Sequence, residues 1–279
     1  MIPPLSQLLV YLAFSSGDLK GRAVELAKRL SLSLYRGDEE FDYLLEYSDA
    51  GLALVPSVAK GFGSIRCDFS TGEHSHRRHY GGGNGQAIAK AVGISGKFTP
   101  SVLDLTAGLG ADGFVLATLG CNVTLLERNP IVHSLLADGI ERGTAAGLYD
   151  SELGLIMARL SLLQASSSDY LQVLVDRLTN CSDDSESASV QPDVVYIDPM
   201  FPLRKKSAKV KKEMQAFHQI VGTDNDSDAL LNNALTVAQY RVVVKRPAGA
   251  GFLAEAKPSY SLKGKSTRYD IYTLKKLPG

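Results

Sequence analysis

From Ser101 onward the chain alternates between short apolar runs with strand character and longer stretches with helical spacing. This alternation restricts the fold more than any other feature. Val102–Leu105, Val123–Leu126, Leu160–Gln164, Val194–Ile197 and Arg241–Lys245 read as strands. Ala111–Leu119, Ile131–Ala146 and Asp169–Leu178 read as the helices between them. Strands separated by helices pair in parallel through right-handed crossovers, so an α/β fold with a mainly parallel sheet and helices on both faces is expected. Arg268–Leu274 reads as a late strand, antiparallel to the rest.

Residues 1–75 form a different pattern and are expected to be a small α+β region, with the main domain spanning 76–279. Leu8–Phe14 is strand-like. Arg22–Leu30 has helical spacing, with Val24, Leu26, Ala27 and Leu30 able to share a face. Tyr43–Tyr47 and Leu52–Pro56 suit a hairpin around Ser48-Asp49-Ala50-Gly51, and Ser64–Phe69 is expected to add a strand. A basic, glycine-rich link from His74 to Gly85 leads into a helix at Gln86–Val92. Two polar stretches, Thr179–Gln191 and Asp224–Asp228, read as surface loops.

The apolar run Leu8–Phe14 has no basic residue before it and is too short to span a bilayer, so no membrane association is expected. Three widely spaced cysteines, Cys67, Cys121 and Cys181, argue against a disulfide framework and for a reducing, cytoplasmic setting. Net charge is zero, so an anionic polymer would have to be attracted by local patches. His74, His76 and His79 come without a cysteine or carboxylate framework, and no metal is expected.

Gly108-Leu109-Gly110-Ala111-Asp112-Gly113 is a G-x-G-x-x-G string joining a strand to a helix. Glycines there permit a tight turn and close approach of the backbone to a ligand, and the helix start offers unpaired N–H groups. Glu127 ends the next strand at a distance suited to a ribose diol, with Arg128 beside it. A nicotinamide-dependent oxidoreductase would carry the same string. Asp104, four residues before the first glycine, tilts the reading toward S-adenosylmethionine (SAM), whose methionyl amino group a carboxylate there can face; the plainer reading of Asp104 is a turn residue. After the third strand, Ser166, Ser167 and Asp169 suit the adenine edge, although Ser168 and Asp169 equally suit a helix cap.

Asp198-Pro199-Met200-Phe201-Pro202 follows the apolar strand Val194–Ile197, at the sheet edge where open α/β folds bind ligands. The Asp198 carboxylate and the Pro199 carbonyl can accept both hydrogens of an exocyclic amine, and Phe201 can stack on the base that bears it. Such groups orient a poorly nucleophilic amine toward a methyl donor. The plainer reading is an Asx turn with a core phenylalanine. The combined acid, prolines and ring after a buried strand favour the acceptor site. Arg204, Lys205, Lys206, Lys209, Lys211 and Lys212 come next, a cluster suited to RNA phosphates but also to a solvated helix face. Arg77 and Arg78 form a second candidate patch. Lys245-Arg246-Pro247 ends the fifth strand on the ligand edge, where a role near the acceptor loop and a plain charged strand end are both open readings.

These segments, with Tyr80-Gly81-Gly82-Gly83, Ala89-Lys90-Ala91-Val92-Gly93, Leu126-Glu127-Arg128-Asn129-Pro130, Lys211-Lys212-Glu213-Met214 and Val242–Pro247, resemble the bacterial small-subunit ribosomal RNA methyltransferase J family. The resemblance is strong from about residue 60 to the end. It implies a class I SAM-dependent methyltransferase fold, Rossmann-like, and N2-methylation of a guanosine in 16S rRNA, free or in the small ribosomal subunit. It also implies SAM contacts at Ala111-Asp112, Glu127-Arg128, Ser166-Ser167 and Asp198. Met200 stands where a second proline is common in amino-methyltransferases, and Ala111 where close relatives can carry Arg, leaving only its backbone for the cofactor. A non-catalytic RNA-binding or ribosome-assembly module on the same fold is another alternative, which a damaged acceptor motif would mark, and none is seen; a narrower one is methylation of adenine or a protein amide at the same kind of motif.

Overall fold

The computed structural model describes residues 8–71, 86–180, 191–199, 220 and 227–278. Among these, ten strands form two sheets. The first sheet contains β1 (Val10–Phe14), β2 (Tyr43–Ser48) and β3 (Gly51–Pro56) in the order β1-β2-β3. β2 and β3 are the expected hairpin, turning at Gly51 with φ of 94°. β1 runs parallel to β2. A parallel neighbour needs a crossover, and helix α1 (Lys20–Leu30) lies in that connection. The helix buries Ala23, Leu26 and Ala27 and leaves Val24 43% exposed, so its inward face is turned from the one the sequence suggests.

The second sheet has seven strands. With helices α2 (Ala87–Val92), α3 (Ala111–Thr118), α4 (Pro130–Gly147), α5 (Ser151–Met157), α6 (Ser167–Asn180) and α7 (Ser227–Val237), it comprises β4 (Val102–Asp104), β5 (Val123–Glu127), β6 (Leu160–Gln164), β7 (Val194–Ile197), β8 (Arg241–Pro247), β9 (Tyr260–Lys263) and β10 (Thr267–Thr273). Its order is β6-β5-β4-β7-β8-β10-β9. The five strands from β6 to β8 pair in parallel, whereas β10 is antiparallel to both β8 and β9. The chain first builds outward from β4 through β5 to β6, then returns to add β7 on the other side. The strand order therefore reverses between β4 and β7, which opens a crevice at their carboxyl ends.

Side chains alternate across this sheet as the strand period demands. Val102, Val194, Tyr196, Val243 and Ile271 face one buried cluster with Phe114, Leu116 and Leu136. Leu103, Val195, Ile197, Val242 and Val244 face the other, against Leu171, Leu174, Leu230 and Ala234. Burial on both faces explains why β7 reads as an uninterrupted apolar run.

A third cluster joins the two sheets. Leu12, Leu45, Leu52 and Leu54 of the small sheet pack with Ile131, Val132 and Leu135 of α4. A buried carboxylate reinforces the junction: Asp138 Oδ2 accepts hydrogen bonds from Leu52 N at 2.9 Å and Arg142 Nε at 2.8 Å. Arg142 also donates to the Cys67 carbonyl.

Ser64–Phe69 is not a strand. Ile65 makes one isolated bridge to Leu54, and the chain then turns inward. Cys67 Sγ reaches the Leu109 carbonyl at 3.3 Å, and the Phe69 ring stacks on Phe114 with centroids 4.8 Å apart. Packing against the glycine turn has replaced sheet pairing, so this segment ties the small sheet to the larger one.

Candidate active site

The reversal between β4 and β7 brings together two motifs about ninety residues apart in sequence. Asp104, the last residue of β4, is 2% exposed. Its Oδ1 accepts the Thr106 N–H at 2.9 Å. Thr106 Oγ1 in turn accepts the Asp198 N–H at 2.7 Å. Thr106 therefore staples the glycine turn to the start of the loop at Asp198. The sequence reading passed over this residue, whose only signal is its place between the two acids. Burial pushes the Asp104 carboxyl up to about 7; the Thr106 N–H and Lys245 pull it down, and Asp112 and Asp198 push it further up.

The turn after Asp104 has the conformation the glycines were expected to allow. Gly108 and Gly110 have φ of 55° and 74°. A Cβ on Gly110 would approach Leu136 Cδ1 to 2.8 Å and Phe69 Cζ to 3.2 Å. Glu127 closes the turn from β5, its Oε2 accepting Gly108 N at 3.1 Å and its Oε1 accepting Asn129 N at 2.7 Å. Each oxygen of a carboxylate can accept more than one hydrogen bond, so ribose hydroxyls are compatible with these two contacts. Asn129 caps α4 through Oδ1, which accepts from Ile131 N at 3.0 Å and Val132 N at 3.2 Å. Arg128 beside it is exposed.

On the β6 side, Ser167 Oγ donates to the Leu105 carbonyl, holding this turn against the end of β4. Ser166 Oγ accepts Asp169 N at 3.4 Å at the start of α6, and Asp169 itself is exposed. The capping role thus falls to Ser166 rather than to Ser168 or Asp169.

Asp112 does not cap α3, whose start is Gly110 with no side-chain cap. Its Oδ2 instead accepts the Tyr196 hydroxyl at 2.6 Å and Lys245 Nζ at 2.6 Å. The same ammonium reaches Asp198 Oδ2 at 2.9 Å. Burial alone would lower the Lys245 pKa, but Asp198 and Asp112 outweigh it and hold the ammonium well above its usual range. Tyr196, fully buried, is raised well above the usual phenol by burial and by those two carboxylates, so it remains a donor. Lys245, left open between two readings in the sequence, belongs to the site. Pro199 is buried next to Asp198.

Hydrogen bonds and ion pairs thus link Asp104 to Asp198 through Thr106, Asp112 to Asp198 through Lys245, Glu127 to Gly108 and Ser167 to Leu105, while Gly110, Ala111, Arg128, Ser166 and Pro199 are their neighbours in sequence. Phe201, Arg77, Arg78, Arg204, Lys205, Lys206, Lys209, Lys211 and Lys212 lie outside the described residues, as do His74, His76 and His79. Among the described residues, no cluster of His, Cys, Asp and Glu has metal-holding geometry, and no helix is long and apolar enough to cross a membrane.

The residues present fit SAM. A glycine turn with left-handed φ values offers its backbone, Glu127 offers ribose acceptors, and buried Asp104 offers a partner for an ammonium.

The comparisons with known proteins agree. A family model described as "Putative SAM-dependent methyltransferase" matches residues 25–274. The chain is 48% identical to ribosomal RNA small subunit methyltransferase J of Cellvibrio japonicus, covering 94% of this chain and 97% of that protein. It is 47% identical to the protein of the same name in Pseudomonas aeruginosa, covering 94% of each. The crystal structure of a SAM-dependent methyltransferase from Neisseria gonorrhoeae superposes with a TM-score of 0.68 at 32% identity, over 94% of this chain and 95% of that one. Between the two readings of the glycine string, these matches decide for SAM over a nicotinamide. With its strand order, its glycine turn and near-complete alignment to these relatives, the chain belongs to the ribosomal RNA small subunit methyltransferase J family of SAM-dependent methyltransferases.

Proposed function

We propose that the protein transfers a methyl group from SAM to the exocyclic N2 amine of a guanosine in 16S rRNA. The observation that carries this reading is the meeting of Asp104 and Asp198 through Thr106 at the reversal of strand order. The bridge supports the reading because it keeps a carboxylate suited to the cofactor and one suited to the acceptor close together. The names of the relatives supply the substrate class.

Asp104 faces the methionyl ammonium, Glu127 takes the ribose diol, and the turn from Gly108 to Asp112 lies along the rest of the cofactor. Arg128, Ser166 and Ser167 border the adenosine. Bound SAM supplies a sulfonium methyl, which the amine's lone pair takes as the carbon–sulfur bond breaks and its electron pair stays on sulfur. The chain's own task is orientation. The guanine amine is a weak nucleophile because its lone pair is delocalised into the ring. The Asp198 carboxylate and the Pro199 carbonyl accept its two N–H groups, which turns lone-pair density toward the methyl and stabilises the charge that develops on nitrogen. Asp198 then receives the departing proton. Phe201 stacks on the base, which must leave its helix first if it is paired. Arg77, Arg78 and the cluster from Arg204 to Lys212 hold phosphates, and the small sheet of residues 1–75 acts as a unit joined to the methyltransferase domain of 76–279. The protein works in the cytoplasm, without a metal.

The test is Asp198→Ala, assayed with tritiated SAM and small ribosomal subunits from cells lacking this gene. Methyl transfer should fall by at least a thousandfold while SAM still raises the melting temperature. A folded variant with wild-type turnover would refute the acceptor assignment. Mapping the modified nucleotide by mass then checks the N2 position.

A further inference from the structure

We infer that Lys245 is a positioning residue that fixes the Asp198 carboxylate for the amine and couples it to the cofactor helix. This rests on the reading that Asp198 receives the amine.

The geometry is specific. Tyr196 pairs with Val243 across β7 and β8, so Lys245 lies two residues nearer the carboxyl edge on the same face. From there it donates at 2.6 Å to Asp112 and at 2.9 Å to Asp198. Asp112 is held from its other side by the Tyr196 hydroxyl at 2.6 Å. Tyr196 cannot move, being fully buried two residues before Asp198. The acceptor residue is thus gripped twice. Thr106 takes its backbone N–H, and Lys245 takes Oδ2 of its side chain. The backbone hydrogen bond and the ion pair at Oδ2 together restrict how the Asp198 carboxylate can turn.

Charge makes the lysine necessary. Among the described residues, the titratable groups around Asp198 include Asp112 from α3, Asp104 from β4, Tyr196 from β7 and Lys245 from β8. Two of the four, Asp112 and Asp104, are carboxylic acids, and only Lys245 is a cation. Without the ammonium, Asp112 and Asp198 would repel, and each would swing toward water. Because Asp112 lies in the first turn of the helix that follows the glycine turn, the ion triad also links the cofactor loop to the acceptor loop. Lys245 and Asp112 are 24% and 22% exposed, so the triad lines the crevice and is only partly open to solvent. That separates it from a surface pair, which would be nearly neutral.

The test compares Lys245→Gln and Lys245→Arg with Asp198→Ala in the full chain, using tritiated SAM and the same undermethylated small subunits. Lys245→Gln should lower kcat roughly 10- to 100-fold, the range a misplaced group costs. Its KM for subunits should stay within about threefold, and the acid limb of kcat should move up by about one pH unit when the cation is lost. Lys245→Arg keeps the charge and should keep the wild-type limb with most of the rate. Wild-type kcat and pH profile in Lys245→Gln would overturn the inference. So would a higher KM with intact kcat, which would make the lysine a phosphate contact. Should the glutamine variant fail to fold, the arginine variant decides: an unmoved acid limb supports the triad, and a displaced one overturns it. If Asp198→Ala is active, the acceptor reading itself has failed; if it is inactive while Lys245→Gln is normal, only this inference has.

Discussion

Asp104→Asn separates the cost of burying a charge at the cofactor site from the benefit of having it there. Asp104 is 2% exposed, and its carboxyl is raised from 3.8 to about 7, chiefly by burial. A raised carboxyl means the folded chain holds a proton that the unfolded chain has released. Stability from that proton is fully present below about pH 4 and is lost as pH rises through about 7. At about 1.4 kcal/mol per pH unit, a rise of about three units corresponds to a loss on the order of 4 kcal/mol by pH 8. Asparagine keeps an oxygen to accept the Thr106 N–H and has no proton to lose. Urea denaturation of both proteins should therefore show the variant gaining relative to wild type by roughly 3 kcal/mol between pH 4.5 and 8.5, with other titrations cancelling in the difference. The gain should come with weaker SAM binding at pH 8, because the ammonium partner is gone. A stability difference flat across that range would refute the argument, since it would mean that Asp104 ionises without penalty and is solvated in the folded chain. An Asn variant that binds SAM like wild type would instead remove Asp104 from the cofactor site.

Gly110→Ala should cost about 1–3 kcal/mol, because a Cβ at φ of 74° meets Leu136 at 2.8 Å in a packed core. The melting-temperature gain produced by SAM should shrink with it, and an undiminished gain would show that the turn tolerates a side chain. Asp138→Ala strips the partner from the buried Leu52 N–H and from Arg142. A loss of about 3 kcal/mol, roughly 6–12 °C in Tm, is expected; a change under 2 °C would mean that apolar packing alone joins the small sheet to α4.

Most of the large sheet was legible because its strands are short, apolar and separated by helices, so local pattern and chain order coincide with the fold. Leu160–Gln164 and Val194–Ile197 match their expected bounds, and α4 and the late antiparallel strand lie within a residue of theirs. The acids Asp104, Glu127 and Asp198 were recognisable for the same reason, since each stands at or just past the carboxyl end of a strand. Ser64–Phe69 misled because alternating apolar residues that pack on a helix and a loop read like those of a strand. Helix α5 went unread because its Gly154 lies against Gly147, a close backbone contact with no period of its own. β9 and the helix beginning at Ser227 have weak local signals: the first is short and half exposed, and the second begins inside Asp224–Asp228, so Ser227 and Asp228 are helical and not loop.

The amino-acid sequence by itself determined the parallel α/β class, the glycine turn and the acid at each strand end, because these are properties of consecutive residues. Tertiary structure alone decided that Thr106 joins Asp104 to Asp198, that Lys245 sits between Asp112 and Asp198, and that the small sheet shares a core with α4. Those contacts span residues far apart in the chain. Their partners are chosen by sheet order and strand register, which no local pattern encodes.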